Sequence, residues 1–94
     1  MIICAAVKIQ YQKNGQTVEA VVPGLRHGDA RDLMATLGVP IHREEVDGFI
    51  THTGAFLDRY DAFDHALMCG QLSDTTRAAK AAQGERQLYS EDLY

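Results

Sequence analysis

The sequence predicts an α+β fold: a small antiparallel sheet made of two β-hairpins, with two helices packed on one face. Two observations carry this prediction. A β-prone run, a tight-turn signal, a second β-prone run and an apolar helical stripe closed by glycine follow one another in that order, and the series occurs twice. The chain has 94 residues, which suits one domain, 1–94, and leaves little room for a second.

The first series opens with Ile2 to Gln12. Ile2 to Val7 is nearly continuous apolar sequence, as in a strand buried on both faces, and Val7, Ile9 and Tyr11 then alternate with Lys8, Gln10 and Gln12. Asn14-Gly15 is a strong hairpin signal, and Thr17 to Val22 returns with Val18, Ala20 and Val22 on one face. Pro23-Gly24 closes that strand. Asp29 reads as the N-cap of a helix whose stripe is Ala30, Leu33, Met34 and Leu37, stopped by Gly38 and Pro40. Ile41 to Asp47 reads as a polar connector.

The second series is the stretch the rest of the chain is organised around. Phe49 to Thr51 is β-prone, His52-Thr53-Gly54 turns, and Ala55-Phe56-Leu57 returns. Asp58 caps a helix, Asp61 supports its first turn, and Ala62, Phe63, Ala66 and Leu67 form one stripe before Gly70. Thr75 to Gln83 reads either as a short helix capped by Ser73 or Asp74 or as a mobile exposed loop within 73–87. The tail 88–94, with Leu88 and Leu93 flanking an acidic centre, is too apolar to stay loose and is expected to dock.

The hydrophobic share of 46% excludes general disorder, and the net charge of −4 with interspersed signs argues against an extended nucleic-acid footprint. A core this small favours a homo-oligomer. Cys4 and Cys69 read as reduced thiols. The opening MIICAAVKIQ has no basic start, and its apolar run is too short for a signal or a membrane span, so a cytoplasmic location is expected.

The run GFITHTGAFLDRYDAFDHALMCGQL, followed after a spacer by LYSEDLY, resembles a group of small phage and bacterial proteins. Their pattern is GF-[LI]-T-x-x-G-x-F-[VL]-D-R, an alanine-containing helix ending in G-Q, then L-[YF]-S-E-D-L, often with an upstream Arg-His pair, here Arg26-His27. The likeness covers about two thirds of the chain. It implies a compact phage-type accessory domain. His52 and Tyr60 depart from the smaller or acidic residues expected there.

If the tail returns to the second hairpin, Arg26, His27, Thr51, Arg59, Gln71, Ser90, Glu91 and Asp92 come together. Guanidinium groups and helix N-terminal N–H groups suit phosphate, and the hydroxyl, amide and acidic side chains suit ribose and base edges. The expected ligand is a small nucleotide-type signalling molecule, bound and sequestered as an anti-defence device. In the competing arrangement Arg59 pairs with the Ser90-Glu91-Asp92 group and simply pins the tail. Two further functions compete: inhibition of a host defence protein, and hydrolysis of nucleotide derivatives. No catalytic residue or cofactor is assigned, and no metal, because His27, Asp29, His42, His52 and His65 show no convincing ligand spacing.

Overall fold

The protein's structure, a computed structural model, describes residues 1–40 and 43–93. Ile41, His42 and Tyr94 lie outside the described residues, and with them the start of the expected connector, one histidine considered for metal and the last residue of the tail.

Strands β1 (Ile2–Lys13), β2 (Gln16–Gly24), β3 (Glu44–Thr51) and β4 (Phe56–Asp58) form one antiparallel sheet in the order β2-β1-β3-β4. Both expected hairpins are present. At the first turn Asn14 and Gly15 have φ of 52° and 75°, the pair of positive values that matches a two-residue turn to the twist of its strands. β2 runs two residues past the expected end, because Pro23 and Gly24 still pair with Ala6 and Ala5. Proline is tolerated there because β2 is an edge strand and its outward side needs no donor. The polar stretch Glu44 to Asp47 also belongs to a strand rather than a connector. Its pairing with Gln10 to Val7 overrides its composition.

There are three helices, α1 (His27–Leu37), α2 (Arg59–Met68) and α3 (Asp74–Gln83), followed by a 3-10 turn at Ser90–Asp92. Only α1 and α2 pack closely on the sheet. α1 starts earlier than expected: Arg26 is its N-cap, and Asp29 sits in the first turn, reaching back to accept from the Arg26 N–H at 3.1 Å. Of the predicted α1 stripe only Ala30 and Met34 are buried, whereas Leu33 and Leu37 stay exposed. α2 is capped as the sequence implies, with the Asp58 carboxylate accepting from the Asp61 N–H at 2.8 Å. Thr75 to Gln83 lies in a helix, with Ser73 accepting from the Thr76 N–H at 3.1 Å and Gly84 ending it.

β1 serves two cores along its length. Ile2 and Ala5 pack with Phe49, Phe63, Ala66 and Leu88 under α2, and Val7 and Ile9 pack with Val22, Ala30 and Met34 under α1. Leu88 is fully buried, so the tail contributes directly to the first core. Burying one leucine side chain stabilises by about 1.5–3 kcal/mol, which offsets part of the cost of ordering the tail.

Candidate functional site

The polar part of the molecule is built where the tail crosses the start of α1 and α2. His27 is the first residue of α1 and is buried with its ring edge against Phe49, at 5.2 Å between centroids. Its Nε2–H donates to the Gly48 carbonyl at 2.8 Å. That fixes the tautomer and leaves Nδ1 to accept from the Ser90 hydroxyl at 3.0 Å. The imidazole thus ties strand, helix and tail together. Burial is the main reason its pKa lies below the ordinary value of 6.5; Arg59 and Arg31 push it the same way, while the Gly48 bond and Asp47 oppose them.

This has a pH consequence. The unfolded chain takes up a proton near pH 6.5 and the folded chain does so only at lower pH, so stability is complete above 6.5 and is lost as pH falls toward the folded value. The slope for one such group is at most about 1.4 kcal/mol per pH unit. Chemical denaturation of wild type and His27→Gln between about pH 7.5 and 5.5, roughly one unit either side of 6.5, should show a steeper acid loss in wild type.

Two cations hold the tail from the other side. Arg59, at the start of α2, donates to the Leu88 carbonyl at 2.8 Å and to Asp47 at 3.1 Å, and its guanidinium lies 4.8 Å from the Tyr89 ring centre. Lys80, the one buried residue of α3, pairs with Asp92 at 2.9 Å and donates to the Gln87 carbonyl at 2.8 Å. Its ammonium lies 4.9 Å from the same ring. Asp92 also accepts from the Tyr89 N–H at 2.8 Å.

Beside this latch lies an open cleft of about 360 Å³, lined by Arg31, Glu45, Val46, Asp47, Asp58, Arg59, Tyr60 and Gln87. Glu45 and Asp47 are two residues apart on β3 and therefore share one face. Asp47 bridges Arg31 at 2.6 Å and Arg59 at 3.1 Å, and Glu45 bridges Arg31 at 3.3 Å and Arg43 at 2.7 Å. The lining carries Arg31 and Arg59 against Glu45, Asp47 and Asp58, two positive and three negative charges, for a formal −1. Tyr60 is exposed at the rim, its hydroxyl accepting from the Gln87 side-chain amide at 2.9 Å.

The eight residues expected to share a pocket separate into groups. His27, Ser90, Arg59 and Asp92 meet around the docked tail, but only Arg59 lines the cleft. Arg59 pins the tail, yet through the Leu88 carbonyl rather than through an acid; the acid belongs to Lys80. Gln71 is spent on the backbone of Ile2, accepting from its N–H at 2.6 Å and donating to its carbonyl at 2.9 Å beside the irregularity in β1. Thr51 is buried in the hairpin turn, where its hydroxyl accepts from the Ala55 N–H at 3.3 Å and bonds Thr53 at 2.8 Å. Arg26 and Glu91 are exposed. Ser90 and His27 are only 5% and 7% exposed and bond each other.

Sequence reasoning left Arg31, Asp47, Lys80 and Gln87 out of the candidate site, and singled out Tyr60 only as a departure from the phage pattern. Lys80 left one trace, as the cation inside an alanine run, AAKAA. Asp47 and Arg31 left none, because a charge in a polar stretch looks solvated until its partners are placed.

The fold and cleft define a small α+β protein with a latched tail and a charged surface cleft. No helix among the described residues is long and apolar enough to cross a membrane. The chain belongs to the family described as the phage T4 y16D protein, whose model matches residues 1–94. No curated protein and no solved structure matches it significantly.

Proposed function

We propose that this phage-family protein captures a small nucleotide-type ligand in the cleft beside the latch, and that in an infected cell it acts in the host cytoplasm by sequestering a signalling nucleotide. The observation that supports this is the cleft itself, which sets Arg31 and Arg59 beside the exposed ring of Tyr60. On this reading the Tyr60 ring offers a stacking face to a base. The guanidinium groups of Arg31 and Arg59 exchange part of their pairing with Asp47 and Glu45 for a phosphate, whose geometry they match. Gln87 and the released carboxylates meet ribose hydroxyls. Of the eight residues first singled out, Arg59 touches ligand and the buried or backbone-bonded ones hold the walls. On this reading the ligand is retained rather than cleaved.

A thermal-denaturation scan against cyclic and ADP-ribose-like nucleotides tests this. At least one compound should raise Tm, the rise should be largely lost in Arg31→Ala, and the compound should be recovered intact. A flat response across the panel overturns it.

A second reading, inhibition of a host protein, draws on the outer side of α2, where Tyr60 and Met68 are 57% and 89% exposed and Asp61 and Asp64 are exposed beside them. A host protein that is captured by wild type, and no longer by Asp61→Arg or Met68→Asp, would favour it if the nucleotide scan is flat.

A further inference from the structure

The two helices that pack on the sheet share one of its faces, the one carrying Ala5, Val7, Ile9, Val22 and Phe49. Side chains alternate along a strand, so the residues between these form the opposite face. That face is apolar at one end. Cys4, Ile50 and Phe56 stand in one cross-strand row, and Lys8 has Val21 on one side and Val46 on the other. Ile3, at the irregularity in β1, is 53% exposed, and Val21 and Val46 are 40% and 48% exposed. Cys4, Ile50 and Phe56 are half-buried. A charged row follows. Gln10 pairs with Glu19 of β2 and with Glu44 of β3, and Lys8 reaches back to Glu19 at 2.8 Å. Glu44 is exposed and makes no ion pair among the described residues, so one lysine stands between two carboxylates.

We propose that a second copy of this chain covers this face, the two sheets stacking as an aligned sandwich with β1 of each copy over β3 of the other. Two copies meeting face to face are related by a two-fold axis that lies in the interface. An axis across the strands would set the apolar end of one copy against the charged row of the other. An axis along the strands, between β1 and β3, keeps equivalent rows together. Cys4 then meets the partner's Ile50, and Lys8 meets the partner's Val46. The Lys8 ammonium lies one row from the partner's Glu44, the carboxylate with no ion pair in its own chain, and the two-fold axis repeats the contact. The area is of the right order. Ile3 to Gln12, about ten residues at about 3.4 Å each, and about three strands at about 4.8 Å give roughly 500 Å² in projection. Side-chain relief raises the accessible area of that face toward the ~800 Å² that each partner gives to a standard interface. Lys8, Glu19 and Glu44 do not line the cleft, so this proposal stands apart from the ligand reading.

Sedimentation equilibrium of the full chain tests this. Wild type is expected to be a dimer at micromolar concentration. Lys8→Glu and Glu44→Lys should each raise the dimer Kd at least about tenfold, because each sets like charges against one another across the interface. Mixed in equal amounts, the two variants should recover the dimer. The two new charges then oppose each other at one contact, and the unchanged Lys8 and Glu44 pair at the other. Neither side chain is buried, so both variants are expected to fold, with far-ultraviolet circular dichroism as the control. Val46→Lys, which sets an ammonium against the partner's Lys8, should also give monomers and stands in for a charge variant that does not fold. A wild-type chain that stays monomeric overturns the proposal, as does a dimer indifferent to these changes or a mixture that fails to recombine. A monomer that instead captures a host protein, with capture lost in Val46→Lys, also overturns it and gives the face to that partner.

Discussion

Gly48→Ala is expected to cost about 3 kcal/mol, the upper end of what overpacking imposes, and to detach β4 from the sheet. A methyl group built on Gly48 would fall against the Leu57 carbonyl oxygen and within 2.5 Å of the Phe56 ring. The carbonyl is backbone of the paired strand, so it cannot step aside as a flexible side-chain end could. Gly48 is paired with Asp58, the N-cap of α2, and its own carbonyl accepts from His27. Displacement would therefore reach the cap, the helix it starts and the imidazole that holds the tail. For a domain of this size about 3 kcal/mol corresponds to a Tm lower by roughly 12–24 °C. Chemical denaturation measures it directly. A loss below about 1 kcal/mol, within the ordinary range for single substitutions, would mean that the two strands separate more easily than this packing implies. Gly28→Ala is the control, because nothing lies within 4 Å of a methyl group there.

Lys80→Ala is expected to cost a similar amount, about 3 kcal/mol, by leaving Asp92 without its counter-charge. The pair is well covered, with side-chain exposures of 7% and 14%, so solvent screens it little. The ammonium also satisfies the Gln87 carbonyl and lies against Tyr89. Removing it frees the segment that carries Leu88 and Ser90 into place. The distinguishing readout is limited proteolysis: cleavage within 84–93 should accelerate before global unfolding does. Lys80→Ala combined with Asp92→Asn should recover part of the loss, because the second change removes the unpaired charge. No recovery in the double variant would show that the cost lies in packing against Phe63 and Tyr89 rather than in charge.

The polar and glycine positions of 48–71 and 88–92 look like a binding signature, because they lie outside any hydrophobic period. In the structure many of them join backbone to backbone. Gly48 admits β4, Thr51 closes the turn, Asp58 caps α2, Arg59 holds the Leu88 carbonyl, Gln71 completes the bonding of Ile2, and Ser90 reaches His27. A side chain that replaces a missing backbone partner is as specific in type and spacing as one that binds a ligand. The linear sequence cannot separate the two roles, because the partner lies 29 residues away for Arg59, 63 for Ser90 and 69 for Gln71.

By itself the sequence determined the local structure: the Asn14-Gly15 turn, the Asp58 cap, the Ala62–Phe63–Ala66 stripe and the docking of Leu88 all follow from short-range sterics, capping and apolar periodicity. It also determined that the tail returns, because an apolar segment gains by leaving water. Only the tertiary structure decided which charge meets which. Asp47 joins Arg31 to Arg59, Lys80 takes Asp92, and Ser90 reaches the His27 ring. The physical reason is range. Burial and backbone preference act within a few residues and can be read along the chain, whereas an ion pair or a donor cluster exists only once strand register and helix placement bring distant groups within about 3–4 Å.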